Sequence, residues 1–152
     1  MAMEPTPREA ISQLIYTYAE RIDAGDFAGV ADVFSDATLT FEGFGDAVSG
    51  PEAIQSLYER TTRRYEDGTP RTKHVMTNVM VDVSSDGSTA TSRSYFTVLQ
   101  AVPGALMLQP VIAGRYRNAY ACTDGAWRFT SVHIIIELVG DLAHHMLFDL
   151  RP

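Results

Sequence analysis

Cysteine is almost missing from this chain. Cys122 stands alone among 152 residues, which excludes an internal disulfide and a cysteine-built zinc site and fits a reducing compartment. Positive charge is also scarce: 12 Lys and Arg against 19 Asp and Glu leave a formal net charge of −7. With no basic run to offset it, that charge repels a phosphate backbone and argues against a nucleic-acid partner. No apolar run approaches the roughly 20 residues of a membrane span, and Met1 to Arg8 lacks the apolar core of a signal peptide. The longest apolar stretch, Val132 to Val139, is strand-sized and interrupted by His133 and Glu137. A cytoplasmic protein with no membrane partner is expected. The segment Gly43 to Gly50 lacks the Lys-Ser/Thr ending of a phosphate loop, and no serine occupies a nucleophile elbow, so nucleotide and serine-nucleophile chemistry are set aside.

What is present reads as a compact domain. Hydrophobic residues at 45% and charged residues at 20% match the soluble globular balance, and the length suits one domain over 1–152. Ile11, Leu14, Ile15, Tyr18 and Ile22 form an apolar stripe on a helix from Arg8 to Ala24, started by Thr6 and Pro7 and ended by Gly25. Asp26 caps a short second helix bearing Phe27, Val30 and Phe34. Ala37 to Phe44 alternates as a strand. Ser49, Pro51 and Glu52 open a third helix that carries Ile54, Leu57, Tyr58 and Tyr65.

After Pro70 the period becomes two, with Val75, Thr77, Val79, Val81 and Val83 on one face and His74, Met76, Asn78, Met80 and Asp82 on the other. Asp86-Gly87 and Asp124-Gly125 turn hairpins, and Pro103-Gly104 joins the middle strands. Helices first and hairpin-linked strands afterwards is the order of an α+β fold. The expectation is a cone-shaped barrel, a strongly curved, mixed but mostly antiparallel sheet wrapped over three N-terminal helices around a concave cavity. The outer face, with Val79, Val81 and Val83, is expected to be apolar enough to drive oligomerisation.

Two residues carry a chemical signal. Asp23 falls in the last turn of the first helix, where the macrodipole disfavours a carboxylate. His74 shares a strand face with Met76 and Asn78, and a neutral histidine becomes a tuned base when a carboxylate orients its second nitrogen and stabilises the imidazolium. His133 has the opposite strand parity from Val132 and reads as structural or interfacial. His144-His145 lacks a carboxylate at ligand spacing and reads as flexible tail, so no metal is expected.

The pieces Tyr18 to Asp26 (YAERIDAGD), Phe41 to Gly45 (FEGFG), Lys73 to Asn78 (KHVMTN), Gly114-Arg115-Tyr116 and Gly125 to Phe129 (GAWRF) follow one another in an order that resembles the SnoaL-like branch of the nuclear transport factor 2-like superfamily. Within it, the sequence is similar to hexachlorocyclohexane dehydrochlorinase and, more loosely, to scytalone dehydratase. The resemblance implies a cystatin-like domain over 1–152, with 1–7 and 143–152 as flexible or partner-docked tails. It further implies that His74 is a general base braced by Asp23 as an Asp-His dyad, and that the activity is that of a cofactor-independent lyase, dehydratase-like, acting on a small cyclic or aromatic molecule. An isomerase or cyclase is chemically adjacent, and the same scaffold serves as a ligand-binding module or dioxygenase small subunit.

The departures are specific. Tyr18 and Val132 stand where the dehydrochlorinase has a lysine and an arginine for the leaving chloride, and Ile22 stands where the dehydratase has a tyrosine. Carrying the aligned register along the strands directs Ser94, Phe96, Ile112 and Gly114 toward the cavity, followed by Tyr116, Asn118, Val132 and Ile134. Tyr18 and Phe41 complete the expected substrate-binding lining, and Tyr116 and Asn118 are its polar helpers. The resemblance implies a homo-oligomer, a trimer ahead of a dimer.

Overall fold

A computed structural model describes residues 3–150. The expected tail residues 1–2 and 151–152 lie outside the described residues. Helix α1 (Pro7–Asp23) starts on a reciprocal cap, in which the Thr6 side chain accepts from the Glu9 backbone N–H and the Glu9 carboxylate accepts from the Thr6 N–H at 2.8 Å. Its stripe of Ile11, Ile15, Tyr18 and Ile22 is buried. Gly25, at φ +72°, turns the chain immediately after the helix, and a Cβ there would lie 2.0 Å from the Gly68 carbonyl oxygen. Asp26 then caps α2 (Phe27–Val33) by accepting from the Gly29 N–H.

Strand β1 (Thr38–Phe41) turns into β2 (Phe44–Ser49), a strand that the glycines on either side of Phe44 conceal in the sequence. Helix α3 (Pro51–Thr61) is capped by Gly50 without a side-chain hydrogen bond. Ser49 therefore does not start it. Its hydroxyl pairs with that of Thr38 across the β1–β2 hairpin at 2.9 Å, and Tyr65 lies in the loop beyond the helix.

Four long strands follow: β3 (Thr72–Val83), β4 (Thr89–Val102), β5 (Leu106–Thr123) and β6 (Ala126–Val139). The six strands form one sheet in the order β2-β1-β6-β5-β4-β3, antiparallel except where β1 runs parallel to β6. The sheet is mixed and open, with β2 and β3 at its edges, and α1 packs most extensively on β3. The Tyr18, Phe34, Phe129 and Tyr120 rings touch in succession, with centroids 4.8 to 5.0 Å apart, and fill part of the space between helices and sheet.

The strand carrying His74 contains one irregularity that reverses an expectation. Pairing with β4 shifts between Thr77 and Met80, and Asn78 adopts φ +52°. The extra residue of this bulge flips the parity beyond it. His74 and Met76 face inward before the bulge, and Val79, Val81 and Val83 pack on the core after it. The valines thus do not form an apolar outer face, and Met80 is the side chain left half exposed.

Candidate active site

The site is built where the end of α1 meets the start of β3. Gly25 stops α1 so that Asp23, its last residue, lies against Thr72 and His74. The Asp23 carboxylate accepts three hydrogen bonds: Oδ1 from the Thr72 hydroxyl at 2.8 Å, Oδ2 from the His74 backbone N–H at 2.7 Å, and Oδ1 from His74 Nδ1 at 2.6 Å. These donors compensate the unfavourable helix end. Burial pushes the Asp23 carboxyl upward, but the ring hydrogen bond and charge of His74, with the His74 N–H and the Thr72 hydroxyl, outweigh it and hold the pKa below the usual range. An ionised carboxylate only accepts, so the proton of the neutral imidazole resides on Nδ1 and Nε2 keeps its lone pair.

His74 lines a cavity of about 400 Å³. Of the expected lining, Tyr18, Phe41, Phe96, Ile112, Tyr116 and Ile134 surround the same space. Asp23 stands behind His74 outside this cavity. Gly114 pairs with Phe96, and a Cβ on it would meet the Ile135 carbonyl oxygen at 2.0 Å and the Phe96 ring at 3.0 Å, so the close strand and ring packing require glycine there. The Tyr18 and Tyr116 hydroxyls bond each other at 3.0 Å. Burial, reinforced for Tyr18 by Tyr116 and for Tyr116 by Tyr58, raises both phenol pKa values, so both remain protonated donors.

Ser94, Asn118 and Val132 do not line the cavity. All three are buried, as their inward parity requires. Ser94 pairs directly with Tyr116, and Asn118 and Val132 pair with each other further along the sheet. Asn118 there donates to the Tyr120 hydroxyl at 3.3 Å, and Ser92 shares that hydroxyl at 2.8 Å. His133 bonds the Thr40 hydroxyl through Nδ1 at 2.7 Å and does not line the cavity.

Sequence reasoning missed one wall. Residues 141–150 fold back over the end of α3: Arg63 N–H donates to the His145 carbonyl at 2.9 Å, Leu147 N–H to the Thr61 carbonyl at 3.0 Å, and Gln100 Nε2 to the His144 carbonyl at 2.8 Å. His145, read from sequence as flexible tail, is 4% exposed and lines the cavity with Met146, Phe148 and Leu150. Tyr58, from α3, contributes a third buried phenol. Its place on the α3 stripe was a usable signal; the short irregular C-terminal segment offered none.

Three helices against an open mixed sheet, enclosing a mostly apolar cavity, define a cystatin-like fold. Residues 4–133 match the SnoaL-like domain family, and the chain belongs to that family. A search of the curated proteins returns no match. Among solved structures, an NTF2-like protein with a cystatin-like fold from Novosphingobium aromaticivorans is similar at 24% identity and a TM-score of 0.70, covering 90% of this chain and 85% of that one. A candidate scytalone dehydratase from the same organism is similar at 19% identity and a TM-score of 0.69, covering 93% and 87%. LinA is similar at 21% identity and a TM-score of 0.69, covering 95% and 93%. At these identities the likeness establishes the fold. No helix among the described residues is long and apolar enough to cross a membrane.

Proposed function

We propose that the chain is a cofactor-independent, dehydratase-like lyase in which His74 Nε2 takes a carbon-bound proton from a small cyclic or aromatic substrate. The observation that carries this reading is the 2.6 Å contact between His74 Nδ1 and Asp23 at the wall of a mostly apolar cavity. A carboxylate in that position fixes the tautomer and compensates the charge that appears on the ring when a proton arrives. The two side chains are only 7% and 10% exposed, so bulk water does little to screen the pair. A scaffold that merely binds has no use for such a pair, and a buried carboxylate with three donors costs desolvation that function can explain.

Tyr18 and Tyr116 supply the substrate's polar contact in this reading, and Phe41, Phe96, Ile112 and Ile134 its apolar one. A neutral substrate fits, since apolar side chains dominate the lining. Isomerisation begins with the same proton abstraction and differs only in where the proton returns. The relatives' names point the same way: the solved structures similar to this chain include a candidate scytalone dehydratase. The protein so described is one domain, cytoplasmic, and a homo-oligomer with a trimer ahead of a dimer; a monomer in sizing measurements would remove that last element.

The test uses 1-tetralone as a model carbon acid. Wild-type protein in heavy water is expected to catalyse exchange of its α-protons, followed by proton NMR, and His74→Ala to lose that exchange while melting cooperatively. Equal exchange in both proteins would leave only a binding module.

A further inference from the structure

The cavity contains a second imidazole that the Asp-His pair does not use. His145 is 4% exposed and lines the same cavity as His74. Its backbone is held on both sides: its N–H donates to Leu142, its carbonyl accepts from Arg63, and Met146 bridges to Thr62. The ring is therefore placed by a fixed segment. Its Nδ1 is sealed from solvent and has no hydrogen-bond partner among the described residues. A buried N–H without an acceptor is less tolerable than a buried lone pair. The proton of the neutral ring accordingly belongs on Nε2. Burial, then the positive charge His74 can carry, keep the ring neutral, pulling its pKa down to about 4 against a weaker opposing pull from Asp23.

We propose that His145 is the neutral electrophile of this pocket, donating from Nε2–H to a carbonyl oxygen of the substrate whose α-carbon lies at His74. The proposal rests on the reading of His74 as the base, and it narrows the substrate class to carbonyl compounds bearing an acidic α C–H. His74 Nε2 takes the α-proton, the C–H pair becomes the new C=C bond, and the carbonyl π pair moves onto oxygen, where the His145 N–H holds the enolate. In a dehydration the enolate re-forms its carbonyl, the C=C pair shifts to the adjacent bond, and a β-hydroxide departs with its bonding pair. That hydroxide takes the proton from His74 and leaves as water, which returns the dyad to its starting state. A neutral imidazole suits the role because it donates without adding a cation that would raise the cost of charging His74 beside it.

The experiment compares binding of 1-tetralone with that of tetralin, a matched pair differing only in the carbonyl. Wild type is expected to prefer 1-tetralone by about 5- to 10-fold, the size of one neutral hydrogen bond. His145→Phe keeps the ring shape and is expected to bind the two alike, and His145→Gln, which retains an N–H donor, to recover part of the preference. In His74→Ala the preference is expected to persist, so that failure of the base reading, seen as absent deuterium exchange in wild type, is distinct from failure of this one. Should His145→Phe fold poorly, nitrogen NMR of the His145 ring in the unmodified protein decides: Nε2–H is expected to shift with 1-tetralone and not with tetralin. No preference in wild type, a preference that survives in His145→Phe, or an unmoved His145 signal overturns the proposal.

Discussion

Two imidazoles meet the same cavity under opposite support. His74 stands on β3 with a carboxylate at 2.6 Å, so positive charge on its ring is compensated the moment it forms. His145 stands on the C-terminal segment with no partner at Nδ1 among the described residues and with burial as its main influence, so positive charge on its ring is penalised. Surroundings alone thus set one residue type in two opposite electrostatic states within a 400 Å³ space. A ring backed by a carboxylate suits a base, and one held neutral by burial suits a donor. The contrast also places the specialisation in different parts of the chain, since the α1–β3 junction braces one ring and a returning terminal segment presents the other.

Removing the brace or the ring on the His74 side alone has the largest expected effect. Replacing His74 with alanine is expected to lower α-proton exchange by about 100- to 10,000-fold, the span of a lost general base. Asp23→Asn retains the shape but can no longer compensate imidazolium charge, and its exchange rate is expected to fall in the same range. Exchange measured by proton NMR at wild-type levels in Asp23→Asn would show that the carboxylate does nothing for the ring.

Acid titration of stability isolates the buried His145 next. His145 has a folded pKa near 4 against an ordinary 6.5. Between those values the unfolded chain binds more protons than the folded one, so stability falls as pH drops through that window and is flat on either side of it. The full loss approaches ~3 kcal/mol at about 1.4 kcal/mol per pKa unit. Asp23 is displaced in the same direction, downward, but in a lower range: its contribution is complete above its unfolded pKa and is lost only as pH falls through the depressed folded value. Urea unfolding between pH 7 and 4 is therefore expected to show a slope in wild type that His145→Gln flattens. An identical slope in that variant would mean that burial does not hold His145 neutral.

A smaller effect comes from the outer support of the dyad. Thr72 is buried and its hydroxyl donates to Asp23. Thr72→Val retains the shape and removes a hydrogen bond to a charged group, expected to cost about 1.5–2 kcal/mol at neutral pH. The loss should shrink on acidification below the Asp23 pKa, as chemical unfolding at neutral and low pH will check.

The legible and illegible parts of the molecule differ in the range of the interactions that fix them. The α1 stripe, its Thr6 cap and its Gly25 stop are local, and the sequence states them directly. Asp23 was recognisable because a carboxylate at a helix C-terminus is locally unfavourable and asks for an external partner. His145 gave no such cue. Its burial is decided by Arg63, Thr62 and Gln100, all at least 45 positions distant by number, and a short irregular segment has no periodicity to read. The expected lining failed at Ser94, Asn118 and Val132 for a related reason: parity tells which face a side chain takes, but not which part of that face the cavity reaches.

Strand β3 shows how one residue can defeat a periodic reading. Both parities of 74–83 are rich in apolar side chains, so alternation alone does not reveal an inserted residue, and only Asn78, a residue type that tolerates positive φ, marks the place. The bulge is what lets His74 face the cavity while Val79 and Val81 still reach the core on the same strand. At φ +52° a β-branched side chain is strained, so Asn78→Val is expected to destabilise by about 1–2 kcal/mol although the position is exposed and has no side-chain hydrogen bond of its own in the pairing with β4. Asn78→Gly, free of that strain, is expected to stay within ~1 kcal/mol of wild type. Urea midpoints for the two variants test the bulge directly, because a regular strand would reverse their order: valine favours extended backbone and glycine weakens it.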